Sequence, residues 1–442
     1  MKKLLCLAVV SMALAAPGMP AARPVMAAPA SPTFTVTSTL DVADTTPSDG
    51  NCDTPAISLA AGACTLRAAV MSADAASGVG ATIIVPPGIY TLTIPADVND
   101  YANVGDLNLT KPASGDPLIS IVGAGAGRTI IDGNGQDGVL SVEKGRTAAI
   151  SGVTLRNGFR GSGGVGGGLA NDGNLSLDSS TVSGNQTTGS FPQGGGIYNS
   201  NSLTVTNSTI GPNNASYYGG GIFNSGRLTV DRSTIYGDSA YSGAGIDNDN
   251  SSYLYLINST VSQNTATNDG GALLNYGIAN AYNATLVYNG AETEPTSSTK
   301  AGGVSSDNSG TVNLRNTLLA GNYHDNSFEP ADCTGNITSY GFNLFGENPP
   351  CSVFTGTGSW DVINSLALIG PLQNNGGPTL THALLAGSNA IDSGDPSSGC
   401  IGPDSLPLAT DQRGLPRVVG ARCDIGAFEY LPPAVYLPLL RN

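Results

Sequence analysis

The chain has 442 residues, of which 60 are glycine and 12% are charged, and its net charge is −15. So acidic a surface repels nucleic acid and acidic polysaccharide unless cations bridge them. Abundant Gly, Asn, Ser and Thr with little charge would suit a disordered chain, but regular apolar positions and an internal repeat exclude that.

The chain opens with Lys2 and Lys3, then an apolar run from Leu4 to Ala16, then small residues ending in Ala28-Pro29-Ala30. This is the layout of a cleaved secretory signal, and residues 1–30 are read as one. The apolar run is shorter than the roughly 20 residues a membrane span needs. Of seven cysteines, Cys6 leaves with the signal. The remaining six fall as near neighbours: Cys52 and Cys64, Cys333 and Cys351, Cys400 and Cys423. Six cysteines permit about 15 connectivities. Local pairing is the simplest, and it would staple the regions flanking the repeat in an oxidising compartment. No CxxC phrase or histidine cluster points to a zinc site.

Residues 31–80 read as an N-terminal cap. The window Cys64–Ala76 predicts a helix with Leu66, Ala69, Val70 and Ala73 on one face. Such a helix would cover the open edge of a first β-coil. Asp41, Asp44, Asp49 and Asp53 crowd the loop before it, and Asp247-Asn248-Asp249-Asn250 crowds a later one. Neither matches an EF-hand loop, yet each has the oxygen donors for a structural calcium ion.

Residues 81–365 read as a solenoid. Ala81–Leu92, Leu118–Gly135 and Ala148–Gly158 are irregular coils of strands and turns. From Gly166 one phrase recurs six times, as in GGGIYNSNSLTVTNSTI and GGGIFNSGRLTVDRSTI. Copies start at Gly166, Gly194, Gly219, Gly243, Gly270 and Ala301, giving a period of 24 to 31 residues, which is the signature of a repeat architecture. Five of the six copies hold an alternating pair (Leu175 and Leu177, Leu203 and Val205, Leu228 and Val230, Leu254 and Leu256, Val312 and Leu314). A second apolar position follows at Val182, Ile210, Ile235, Val261, Leu286 and Leu318, and a third lies after the glycines, from Leu169 to Val304. Three short strands per turn predict an all-β, right-handed parallel β-helix. Leucine-rich repeats have a similar period, but their LxxLxL phrase is absent here, and helical repeats are excluded by the β-branched residues and glycines.

Asparagine recurs in two columns: Asn171, Asn199, Asn224, Asn248 and Asn275, then Asn207, Asn258, Asn283 and Asn316. Both columns are expected to form ladders of amides between stacked coils. Residues 366–430 are rich in Pro, Gly and Asp and lack the repeat. The tail 431–442 is apolar but too short to span a bilayer.

These phrases carry resemblances. Cys64-Thr65-Leu66-Arg67-Ala68-Ala69 resembles the CSLREA-type region of bacterial surface proteins, with Ala68 where that phrase has Glu. GGGIYN, GGGIFN and NSTI resemble the repeats of polymorphic outer-membrane proteins on a pectin-lyase-like β-helix. NGGPTLTHAL, AIDSGD, DQRG and CDIGAFEY resemble the choice-of-anchor Q domain. The resemblance implies an exported or surface protein of unassigned activity; the residues themselves predict its short N-terminal capping helix and a disulfide-bearing C-terminal cap.

For chemistry, a glycoside hydrolase needs two facing carboxylates, and a lyase needs a base and often calcium. The chain holds no Asp-Asp pair, no GxSxG and only two histidines, His324 and His382. The compact charged cluster of the repeat block is Arg227, Asp231 and Arg232, read as a solvated strand edge. Tyr198, Tyr217, Tyr218, Phe223, Tyr236 and Tyr241 lie near successive turns, where aromatic faces could stack on sugar rings. The sequence therefore reads as a secreted, non-catalytic stalk or adhesin that contacts extracellular polysaccharide or another cell-surface component, without a cofactor. The alternative is a polysaccharide lyase or glycoside hydrolase on the same solenoid.

Overall fold

The computed structural model describes residues 31–432 apart from 55–61, 77, 97–102, 111, 113–114, 116, 293–299, 308, 325–328, 347–350, 352, 355–359, 364, 366 and 397–398. The signal segment expected over 1–30 and residues 433–442 of the tail lie outside the described residues.

Alternation of apolar and polar residues makes a strand with one face to bury. Here it gives five-residue strands at Asn174–Asp178, Ser202–Thr206, Arg227–Asp231, Tyr253–Ile257 and Thr311–Arg315. Each pairs in parallel with its counterpart one coil on, in register: Leu175 meets Leu203, which meets Leu228, which meets Leu254. The inward residues of all coils form one continuous core from Phe34 to Cys351. Each fully buried Leu, Ile or Val there contributes about 1.5–3 kcal/mol.

A coil has four strands, one more than the sequence suggested. The copy starting at Gly194 runs through Ile197–Asn199, Ser202–Thr206, Thr209–Ile210 and Asn214–Ala215. The extra strand is two residues with a single buried alanine, too short to show alternation. Stacking yields sheets of 20, 10 and 8 strands, the largest holding the first two strands of each coil. The chain is thus an all-β parallel β-solenoid. In the sixth copy the inward residue is Leu319, paired with Leu286, while Leu318 faces outward beside Thr285. With leucine at both positions, a period of two could not choose between them.

The glycine run has two separate duties. Gly194 has φ of +67°, in the left-handed region that side chains disfavour. Gly196 is needed for closeness: a Cβ there would lie 2.7 Å from Asn213 Nδ2. That asparagine belongs to a buried ladder under the glycines that the sequence reading missed. Asn185 donates to Asn213, and Asn264 to Asn289 and Asn289 to Asn322, at 2.9–3.0 Å. The expected first column does ladder: Asn171, Asn199, Asn224, Asn248 and Asn275 donate each to the next at 2.7–2.8 Å.

The second expected column does not ladder. Asn207, Asn258, Asn283 and Asn316 have φ of +44° to +53°, and asparagine serves there because it tolerates left-handed backbone. Their amides turn outward. Asn258 and Asn283 donate to the carbonyls of Thr410 and Ile401, and Asn316 Oδ1 accepts from Asp395 N.

At the N-terminal end, helix α1 (Leu66–Ala75) begins at Thr65, whose hydroxyl accepts from Ala68 N and donates to Val42 O. Leu66, Ala69, Val70 and Ala73 enter the core. Strand Thr33–Thr35 pairs with Ala81–Val85, so the cap also adds a strand to the solenoid. Arg67 is fully buried and holds the region together. It grips Asp41 at 2.6 and 3.1 Å and donates to the carbonyls of Gly105 and Asp106. Ala68, standing where the resembled phrase has Glu, is fully buried.

The C-terminal region takes the form of a strap along the flank of the solenoid. It lies on the outer face of the ten-stranded sheet, against Thr234–Tyr236, Thr260–Ser262, Thr285–Val287 and Leu318–Ala320. Val287, Leu318 and Leu344 face out to meet Leu384, Ala390, Ile425 and Phe428 in a second core. Three disulfides join Cys52 to Cys64, Cys333 to Cys351 and Cys400 to Cys423; the last lies within the strap. Among the described residues no helix is long and apolar enough to cross a membrane.

Candidate binding site

The predicted charged cluster does not converge. Arg227 and Asp231 are opposite ends of one strand, roughly 13 Å apart at strand rise. The Arg227 guanidinium lies 5.4 Å from the centre of the Tyr253 ring. Arg232 contacts Asp231 at 3.3 Å. Both line a cleft of about 400 Å³ with Pro403, Asp404 and Leu408 of the strap. Burial pushes the Asp231 carboxyl up, with Arg232 opposing.

Two aspartates of the N-terminal loop, Asp41 and Asp44, are committed elsewhere. Asp41 pairs with Arg67 and accepts from Thr93 and Ile94 N; Asp44 accepts from Thr46 N and Ser72. In the second acidic loop, Asn248 is a ladder residue while Asp247 faces the opposite side. Among the described residues, no three His, Cys, Asp or Glu side chains group as a metal site would require.

His382 has a nucleophile's partner and no access. Its Nδ1 donates to Gly370 O at 2.8 Å, which leaves Nε2 to accept from Ser262 Oγ at 2.9 Å. Burial lowers its pKa against the pull of the Gly370 bond. Serine and histidine are both buried and the third partner is a carbonyl, so the pair fastens the strap. The DQRG phrase does the same. Gln412 Nε2 donates to Ser233 O, Thr234 Oγ1, Thr379 Oγ1 and Leu380 O, and its Oε1 accepts from Thr260 Oγ1 at 2.6 Å. Arg413 pairs with Asp411 at 2.7 Å and lies 3.5 Å from the Phe428 ring centre.

One cluster of charges, around Arg160, neutralises itself. Arg160 reaches Asp106 with Nη2 at 2.5 Å and Asp137 with Nη1 at 2.7 Å. A guanidinium with both ends held by carboxylates is a poor base for a lyase.

The aromatics do converge. Phe191, Tyr217, Tyr218 and Tyr241 stand just before the glycine runs, and Tyr198 and Phe223 occupy the outward position of successive three-residue strands. Tyr198 stacks on Phe223 with centroids 5.7 Å apart and planes 2° from parallel. Tyr217 meets Phe191 at 5.0 Å, Tyr218 at 4.4 Å and Tyr241 at 5.0 Å, and Tyr218 lies 6.4 Å from Phe223. Six rings thus cover three coils, with Phe191 66% and Tyr241 41% exposed. Phe191 was missed by the sequence reading, and Tyr236 lies apart on the ten-stranded sheet.

Beside the rings is a small pocket lined by Gln193, Tyr218, Phe223, Asp247, Asp249, Asn250 and Tyr276. Asp247 takes the place in its coil that Phe223 and Leu274 take in the adjacent ones. It is buried, and its Oδ2 has no hydrogen-bond partner. Burial first, then Asp249, raises the Asp247 pKa well above the ordinary carboxyl value. Burial with Asp247 and its acidic neighbours pushes the Tyr276 phenol up to about 12; burial and Tyr217 do the same for Tyr218.

No family model matches the chain, and no characterised protein matches it by sequence. Solved structures do resemble it. A pectate lyase, Pel9A, is 14% identical, with a TM-score of 0.44 over 90% of this chain and 96% of that one. Escherichia coli ybhc is also 14% identical, with a TM-score of 0.30 over 70% of this chain and 79% of that one.

Proposed function

We propose that the chain is an exported, non-catalytic β-solenoid that contacts extracellular polysaccharide through its aromatic surface. The observation that carries this is the run of six rings across three coils, four of them in two stacked pairs and the rim exposed to water. Aromatic faces of this kind bind the apolar faces of sugar rings while a polar surround keeps them wet. Three disulfides suit an oxidising compartment, as does the signal-like segment at 1–30. The phrases that resemble the CSLREA-type region and the choice-of-anchor Q domain fit an exported surface protein, and their residues serve here as fasteners. A lyase or hydrolase would require an open pair of carboxylates or an uncompensated base. The ion pairs of Arg160 do not supply one.

The test is a polysaccharide panel, neutral and acidic, presented to the disulfide-intact protein and to Phe191→Ala/Tyr241→Ala. Retention of the parent chain on at least one polymer, weakened at least about tenfold in the double variant, is the expected result. Unchanged retention in the variant would remove the aromatic surface from the argument. New reducing ends or unsaturated products in the same incubations would establish the enzymatic alternative instead.

A further inference from the structure

The pocket beside the aromatic surface combines features that the stacking of coils did not require. The outward column at its floor reads Ala170, Tyr198, Phe223, Asp247, Leu274 and Ser305 in register. Its large members are apolar, and packing alone would favour another apolar residue between Phe223 and Leu274. A carboxyl stands there, 2% exposed, with Oδ2 unpartnered and no salt bridge among the described residues. Leaving such a group buried and unmatched is unfavourable unless something else fills its place. The pocket it lines measures about 190 Å³. That is below the roughly 300 Å³ at which sites for whole drug-sized molecules begin, so it admits a head group and not a sugar chain.

The charges facing Asp247 are of one sign. Asp249 repels it across the pocket. Tyr218 and Tyr276 close the sides as neutral phenols. Asp269 and Asp307 lie near enough to act on Tyr276. The cation on this side, Lys300, is engaged with Asn268 and Asp269. Aromatic rings also present negative faces, which attract a cation placed among them. Two carboxyls and three rings around a small space therefore reject an anion, gain little from a neutral group, and suit an organic cation.

We infer that the pocket formed by Asp247, Asp249, Tyr218, Phe223 and Tyr276 binds an alkylammonium group, of the kind carried by amino sugars, lysine side chains or choline. The inference goes beyond the polysaccharide reading and does not depend on it. The bound ammonium would pair with Asp247 and Asp249 and face the rings, matching the carboxyl that the fold leaves without a partner.

The experiment is isothermal titration of the disulfide-intact protein with choline and with glucosamine. Each is compared with an uncharged counterpart, 3,3-dimethylbutanol and glucose. Binding of at least one ammonium compound, at least about tenfold tighter than its counterpart, is expected. Asp247→Asn keeps the shape of the site and removes its charge; it should abolish that preference while the far-ultraviolet dichroism stays unchanged. Asp249→Asn, on the half-buried rim, should weaken binding with no effect on folding. Failure of both ammonium compounds to bind, equal binding of the neutral counterparts, or full binding by folded Asp247→Asn would each overturn the inference. None of these outcomes bears on retention by the polysaccharide panel, where the Phe191 and Tyr241 variants are read.

Discussion

Asp238→Asn should stabilise the protein, and by more at neutral than at acidic pH. Position 238 belongs to the ladder under the glycine runs, between Asn213 and Asn264. Each neighbouring asparagine donates twice: Asn213 to Asp238 Oδ1 and Val182 O, both at 3.0 Å, and Asn264 to Asn289 Oδ1 at 2.9 Å and Ile235 O at 3.3 Å. Asp238 carries an oxygen, Oδ2, where the others carry the amide nitrogen, and that oxygen has no hydrogen-bond partner. Asparagine would replace an unmatched acceptor with the missing donor. Relief of a buried unmatched group is worth about 1–3 kcal/mol and a net hydrogen bond about 0.5–1.5 kcal/mol, so a gain of about 2–4 kcal/mol is expected at neutral pH. Burial raises the carboxyl well above its ordinary 3.8 against the bonds from Asn213. With the folded value raised, the acid's contribution is whole below the unfolded value and is lost as pH rises through the folded one. The advantage of asparagine should therefore be small near pH 4 and large near pH 8. Urea unfolding of both proteins at these two pH values, followed by circular dichroism, measures it. A gain that is absent, or the same at both pH values, would refute the reasoning.

Two further outcomes follow from the strap. Gln412→Ala removes three hydrogen bonds between strap and solenoid and two within the strap, and strands the acceptors and hydroxyls they served. It should cost about 2–4 kcal/mol and make the strap the first site cut in limited proteolysis, while the repeat block resists. Glu429 is buried beside Asp424, and burial followed by that neighbour raises its pKa from 4.5 to about 7. Its contribution is full below about pH 4.5 and lost as pH rises through 7, an effect of about 3 kcal/mol. Glu429→Gln should flatten the fall in strap protection over that window, measured by hydrogen exchange at both ends of it.

Much of the solenoid was legible because each coil repeats a local rule. The alternation of Leu203 and Val205 fixes a strand and its inward face, and the shared spacing fixes the stacking partner. The Thr65-capped helix was visible through its apolar face. What was hidden is what neighbouring coils or distant segments decide. Asn207 and Asn171 look alike in sequence, but only the inward one can meet its own kind; the other sits in a left-handed bend and donates to Asp178 of the adjacent coil. The Asn185–Asn213 ladder was hidden in the variable phrase endings. The aromatic surface was half seen because tyrosines cluster at turns. The pocket was not seen, since Gln193, Tyr218, Asp247 and Tyr276 are brought together only by stacking. Aligning the copies would have shown its signal: a carboxylate in a column whose large members are apolar.

The strap has a consequence for how the molecule comes apart. In a plain solenoid each coil touches only its neighbours, and ends can fray one coil at a time. Here Gln412 reaches back to Ser233, and Arg417 Nη2 donates to Asn258 Oδ1. These contacts join positions 179 and 159 residues apart in sequence, against the 24 to 31 residues that separate one copy from the next. The four coils beneath the strap are therefore bolted into one cooperative block that must release the strap before any of them can peel. Because the strap leaves the ribosome after every coil it covers, the stack can grow coil by coil during synthesis and be locked only afterwards.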